Sequence, residues 1–230
     1  LTFKIQESEK FYVERINILG NHITQENYIR NQLIVDEGDP FNKILHNKSI
    51  NTLKGKGIFG KVTSDLKDGT KDNQKIIDII ISEKATGEIS AGAGYGSDGS
   101  TFGFAVSENN FRGKGINLIT SLQVSEEKIK GMFSYTHPNF NYSDRSLTTS
   151  IQSTTTDKLD DYGYKSSLNA LSLGTRYEQY ENLFFSPRLS IGNEKLETND
   201  GASSSLKKQE GSYFDSSLLY SFSYDKRNQP

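Results

Sequence analysis

Residues 87–111, GEISAGAGYGSDGSTFGFAVSENNF, alternate small or polar with apolar side chains on both sides of the turn signal Ser97-Asp98-Gly99-Ser100. Ile89, Ala91, Ala93 and Tyr95 share one face of the first half, and Phe102, Phe104 and Val106 one face of the second. A repeat of two belongs to an extended strand, so two such runs across a glycine-containing turn predict an antiparallel hairpin. The alternation continues to the end of the chain. It predicts eight strands, at 88–96, 101–111, 115–125, 128–137, 145–156, 164–177, 184–196 and 211–224. Leu168 and Ala170 fall on one parity and Leu171, Leu173 and Tyr177 on the other, which predicts a bulge in the sixth.

Two architectures alternate in this way, a soluble β-sandwich and a membrane β-barrel. The strands are nine to fourteen residues long by this count, against about five or six in soluble sheets. Aromatic residues collect near strand ends: Tyr95, Phe111, Tyr135, Phe140, Tyr142, Tyr177, Phe184 and Phe185. Both features favour the barrel, the second as an interfacial girdle. Long polar links at 156–163 and 198–210 against the short link at 112–114 fit the two rims of such a barrel. Hydrophobic residues make up only 33% of the chain and mean hydropathy is -0.64. Strands with one apolar and one polar face account for this without disorder, given 13 Phe and 12 Tyr.

The first third follows other rules. Residues 11–19 read as a strand closed by Gly20-Asn21, with Ile16 and Ile18 on one face. Thr24 predicts the N-cap of a helix reaching about Ile34, with Ile23 and Tyr28 as a hydrophobic staple and Ile29/Leu33 as its apolar pair. Residues 36–40 form a loop. Asn42 caps a second helix with Leu45, Ile50 and Leu53 inward, ending near Gly55 and Gly57. Strands follow at 59–66 and 74–83. The order is β-α-α-β-β.

Several of these pieces resemble one family. Ile16 to Gly20-Asn21, Glu37-Gly38-Asp39-Pro40-Phe41, and Leu53 through Gly57-Ile58-Phe59 resemble the last periplasmic POTRA domain of the BamA-type outer-membrane protein assembly factors. Residues 87–96 resemble the family's first barrel strand. Asn109-Asn110-Phe111-Arg112-Gly113-Lys114-Gly115, His137-Pro138-Asn139-Phe140 and the segment from Tyr224 to Pro230 resemble later turns. The resemblance implies an α+β POTRA domain at 10–84, the tail of a preceding one at 1–9, and the N-terminal half of an antiparallel transmembrane β-barrel at 85–230. Leu1 begins inside a strand-like segment and Pro230 ends in a turn, so the chain reads as part of a longer one.

The resemblance also implies the work done: insertion of β-barrel proteins into the outer membrane by strand templating at a lateral gate. The partners implied are nascent outer-membrane proteins, assembly-complex lipoproteins and outer-membrane lipid. The POTRA domain would lie in the periplasm. The client-strand edge would be Glu88, Ile89, Ser90, Ala91, Gly92, Ala93, Gly94 and Tyr95. The competing explanation of its glycines is a tight barrel corner. A second edge, Lys61, Val62, Thr63, Ser64 and Asp65, follows if the first and third POTRA strands pair; Lys61 and Asp65 would also discourage partners there. Glu37 and Asp39 could dock a basic lipoprotein or simply be solvated. The alternative function is a two-partner secretion type translocation pore on the same plan.

Catalysis finds little support. Gly94-Tyr95-Gly96-Ser97-Asp98-Gly99 matches G-x-G-x-x-G, but a strand follows it where a dinucleotide site needs a helix. Glu126-Glu127 and Asp160-Asp161 sit in predicted loops without an apolar pocket to separate their pKa values. Ser221 and Ser223 have no nucleophile elbow around them. His22, His46 and His137 have no metal-ligand spacing. Neither a catalytic residue, a metal nor a cofactor is expected. The absence of cysteine excludes disulfides, and a net charge of -2 gives no field for nucleic acid.

Overall fold

A computed structural model describes residues 10–96 and 99–226. The expected tail at 1–9, the tip of the first hairpin at 97–98 and the last part of the C-terminal turn, 227–230, lie outside the described residues. The chain divides into two compact units, one running to Thr86 and taking in Arg112–Gly115, the other holding Gly87–Phe111 and continuing from Ile116.

In the first unit the order is β1 (Tyr12–Leu19), α1 (Glu26–Arg30), α2 (Lys43–Gly55), β2 (Phe59–Asp68) and β3 (Gln74–Glu83). The sheet order is β1-β3-β2, with β1 parallel and β2 antiparallel to β3. A parallel pair needs a long crossover, and the helices supply it. Alternate residues Ile77, Ile79 and Ile81 of β3 meet Val13, Ile16, Val62 and Phe59 from the sheet and Ile29, Ile50 and Leu53 from the helices. Each such side chain contributes about 1.5–3 kcal/mol by leaving water.

Three local expectations change. α1 is only five residues long and its cap position is Gln25, which makes no side-chain cap bond. The Glu83 carboxylate, brought in from the end of β3, accepts the N–H groups of His22, Ile23 and Thr24 at 2.9, 2.9 and 2.6 Å. Burial pushes the Glu83 pKa up, but these bonds and one from the Thr24 hydroxyl outweigh it and hold the pKa below the usual glutamate range. The staple is absent: Ile23 is 68% exposed, while Tyr28 packs on the core. Asn42 does cap α2, accepting from Ile44 and Leu45 N–H. The inward stripe, however, is His46, Ser49, Ile50 and Leu53, and Leu45 is 38% exposed. At Gly20, with φ +86°, a Cβ would collide with the Ile81 carbonyl, so the chain can leave β1 there only as glycine.

The second unit is one eight-stranded antiparallel meander in which every strand pairs with its chain neighbours. Its strands are β4 (Gly87–Gly96), β5 (Gly99–Phe111), β6 (Ile116–Ser125), β7 (Lys128–His137), β8 (Ser146–Lys158), β9 (Tyr164–Tyr180), β10 (Leu183–Thr198) and β11 (Gly211–Tyr224). The register sorts the faces. Phe104 and Leu122 lie in one row, then Val106, Thr120, Phe133, Ile151, Leu171 and Ile191, then Leu118, Tyr135, Leu173, Leu189 and Leu218. The opposite face carries rows such as Ser134, Ser150, Ser172, Ser190 and Ser217. Ser172 donates to Ser190 Oγ at 2.9 Å.

No register shift occurs at 168–171; Leu168 and Ala170 simply face the polar side, opposite Glu194 and Gly192. The two long links, the second of which holds a short helix α3 (Ser204–Lys207), share one rim with the short link at 126–127. The link at 138–145, with Asn141, Tyr142 and Asp144 in the left-handed region, lies on the other with the short links at 112–115 and 181–182.

Candidate functional site

Each sheet ends in two outer strands, and the margins of these strands differ. In the first unit the β1 margin is sealed. Val13 N–H donates to the Asp39 carbonyl at 2.9 Å, and Gly38 N–H to the Val13 carbonyl at 2.7 Å. Further along, Ile16 N–H donates to Glu37 Oε1 at 2.9 Å, and Arg30 Nη2 to the Ile16 carbonyl at 2.7 Å. Glu37 and Asp39 thus serve the fold: Glu37 also meets Arg30 Nη1 at 3.4 Å, and Asp39 Oδ2 accepts the Asp36 N–H at 3.0 Å.

On β2, the other outer strand of the three, Lys61, Thr63 and Asp65 have alternate parity to Val62, which is in the core, and to Ser64. The Ser64 hydroxyl meets buried His46 Nε2 at 2.8 Å, and burial holds the His46 pKa below its usual value. Among the described residues no third strand pairs with β2 on its far side. Residues 61–65 therefore offer an extended backbone that is anchored from behind.

In the second unit β4 is an outer strand that among the described residues pairs with β5 alone, and all of its residues are exposed. The phase of the ladder follows from one contact: a Cβ on Gly87 would lie 3.9 Å from the Ser107 carbonyl oxygen. That oxygen points at β4, so Glu88/Ser107 is a hydrogen-bonded pair, and so is every second pair on to Gly96/Gly99. Ile89, Ala91, Ala93 and Tyr95 then direct their N–H and C=O to the free margin. Their side chains share the apolar face with Val106, Phe104 and Phe102.

Three glycines of β4 are uncrowded among the described residues. A Cβ at Gly92, Gly94 or Gly96 would meet nothing within 4 Å, and none of the three has a left-handed φ. Glycine does lower the preference of a strand for the extended state and leaves nothing to pack. The result is a strand held by its backbone bonds to β5 and little else.

The chemically suggestive groups are dispersed. Glu127 pairs with Lys158 at 2.7 Å, and Ser221 sits on the polar face opposite Ser186. Gly94 to Gly99 leads from strand to strand. Among the described residues no group of His, Asp and Glu could hold a metal ion. Phe185 joins the aromatic row at the apolar rim, stacked on Phe222 at 4.8 Å and edge-on to Tyr177 at 5.8 Å. Phe184 has the opposite parity and leaves that girdle.

Comparison with known proteins agrees with this geometry. Residues 11–84 match the POTRA family, described as a surface antigen variable number repeat, and residues 110–230 match the Omp85 superfamily domain. The outer membrane protein assembly factor BamA of Buchnera aphidicola subsp. Acyrthosiphon pisum is 31% identical over 149 residues, 64% of this chain and 24% of that protein. BamA of Nitratidesulfovibrio vulgaris is 24% identical over 98% of this chain and 28% of its own length. The chain therefore spans about a quarter of these relatives.

Among solved structures, BamA from Haemophilus ducreyi lacking POTRA domains 1–3 superimposes with TM-score 0.76 at 23% identity, over 94% of this chain and 43% of that one. CdiB from Acinetobacter baumannii gives 0.60 at 12% identity, over 95% and 44%. A periplasmic POTRA domain followed by eight strands of an outer-membrane barrel is thus the plan of this chain, which belongs to the Omp85 superfamily.

Proposed function

We propose that the protein assembles β-barrel proteins into the outer membrane and that the free margin of β4 receives the incoming strand. One observation carries the reading: four residues of β4, Ile89, Ala91, Ala93 and Tyr95, turn their backbone groups to that margin, on a strand whose Gly92, Gly94 and Gly96 are uncrowded among the described residues. A strand entering lipid cannot leave its N–H and C=O groups unpaired. A templating margin satisfies one side of it as it arrives, by β-augmentation. The work is an exchange of hydrogen bonds and needs neither a nucleotide nor a catalytic side chain.

On this reading residues 10–84 deliver clients and residues 85–230 are the first half of the barrel. Extended client segments add to the β2 margin at 61–65, because the β1 margin is already occupied by residues 37–39 and Arg30. The partners are nascent outer-membrane proteins, the surrounding lipid, and lipoproteins of an assembly complex. A basic lipoprotein docking on Glu37 and Asp39 would compete with Arg30 for the first of them.

Proline tests the margin. Ala93→Pro removes one outward N–H and should block assembly by the full-length protein. Gly92→Pro removes an N–H that points at β5 and should mainly loosen the first hairpin. Equal assembly by Ala93→Pro and wild type would overturn the templating role and favour a translocation pore, whose conduit does not use this margin.

A further inference from the structure

Away from β4, the polar face of β7 to β11 holds a hollow of ≈ 440 Å³ near the rim that carries the links at 138–145 and 181–182. Arg176 and Arg188 both line it, with Thr136, Thr148, Ser186 and Ser221 around them. Arg188 pairs across the sheet with Gly174. A Cβ at Gly174 would lie 3.5 Å from Arg188 Nε, ordinary contact distance, so the guanidinium stem lies over β9 against this glycine. Arg176 is the next residue of β9 on that face. Its guanidinium stacks on the ring of Phe184, which strand parity places on this same face, 4.6 Å from the centroid. Two cations are thereby fixed as same-face neighbours.

Neither cation makes an ion pair among the described residues. Glu178, two residues further along the same face, gives Oε1 to the Asn182 N–H at 2.6 Å. The hydroxyl pair Thr136/Thr148, 3.1 Å apart, adds polar atoms but no charge. Like charges on neighbouring strands repel. Planar guanidinium forks held in place with free N–H edges suit an oxyanion, bound through two parallel bonds. The face matters for the identity of that anion. Lipid headgroups belong to the apolar face and its rims, whereas this hollow opens on the polar face, which in a membrane barrel is the aqueous interior.

We propose that Arg176 and Arg188 form a binding site for a side-chain carboxylate of a polypeptide segment lying against the inner wall. The site is distinct from the β4 margin, since β9 and β10 are interior strands near the other end of the sheet order, so either proposal can fail alone. The carboxylate comes from an incoming polypeptide or from the remainder of the full-length chain, and two arms separate these sources. In the first, the full-length protein in nanodiscs carries a fluorophore on Thr148→Cys and is titrated with tetraglutamate, tetraglutamine and inorganic phosphate. In the second, the thermal unfolding of the full-length barrel is compared for wild type, Arg176→Gln/Arg188→Gln and Arg176→Lys/Arg188→Lys.

An incoming partner predicts saturable tetraglutamate binding, none by tetraglutamine, and at least a tenfold loss in the Gln pair. The Lys pair, which keeps charge without the fork, should fall between. A resident partner predicts no binding of added peptide but a lower Tm in the Gln pair, partly restored by the Lys pair. The proposal is overturned if phosphate binds as tightly as tetraglutamate. It is equally overturned if the Gln pair changes neither binding nor Tm.

Discussion

Replacing Gly92 and Gly94 together by alanine tests whether the weakness of β4 is part of its work. Nothing lies within 4 Å of a Cβ at either position, and neither has a left-handed φ, so the folded state accepts both methyl groups without strain. The effect then comes from the unfolded or detached strand, which loses conformational freedom. Each substitution stabilises the extended strand by about 0.4–1 kcal/mol. Together that is about 1–2 kcal/mol, a factor of roughly 5–30 in any equilibrium where β4 must disengage.

The assay is single-client insertion by the full-length protein in proteoliposomes, followed by heat-modifiability of the client. Hydrogen exchange of the β4 amides runs in parallel. The double variant should show greater protection of β4 and slower client release by about that factor. Gly103→Ala is the control: Gly103 lies opposite Gly92 with equally open space, but on a strand paired on both sides. Wild-type turnover in the double variant despite raised protection would refute the reasoning. So would equal slowing by Gly103→Ala.

Other outcomes follow from the same structure. Arginine at Phe104 or Leu118, both on the apolar face, should cost about 2–4 kcal/mol near the bilayer midplane, read by urea titration in lipid vesicles. Arginine at Ser121 of the opposite face should cost far less. Fully buried Leu53 changed to Ala should destabilise the POTRA domain by about 2–5 kcal/mol, seen as a lower Tm by circular dichroism. Glu83→Gln should cost about 1 kcal/mol, a figure discounted for solvent screening at this partly exposed group. Because its pKa is held below the usual value, the Glu83 contribution is complete above about pH 4.3 and is lost as pH falls through the lower folded value. A pH titration of stability should show that step in wild type and not in the variant.

The period-two alternation made the class of the second unit legible, because each strand separates its faces within its own sequence. Residues 128–137 and 211–224 coincide with β7 and β11 to the residue. What the sequence hid depends on partners from other strands. Thr24 carries a good local cap signal, yet the acceptor for its N–H is Glu83, 59 residues away. Leu45 is the more apolar choice beside His46, but helix geometry turns His46 inward to Ser64. Phe184 and Phe185 look alike as a pair and must face opposite sides of their strand, but the register with Glu178 and Tyr177 decides which of them joins the apolar face. For the margins, sequence names the strands but not which are sealed; Glu37 and Arg30 close β1 through bonds that composition does not announce. The glycines of β4 are visible in sequence, whereas the open space around three of them among the described residues is visible only in three dimensions.

The most direct test of the templating account is disulfide crosslinking in the full-length protein during assembly. The 230 residues contain no cysteine, so single cysteines introduced along 89–95 are unique reporters within this segment. Paired with cysteines in the terminal strand of a stalled client, they should give crosslinks in one fixed register that begins at the β4 margin. Crosslinks confined to residues 214–224, with none at 89–95, would contradict the account.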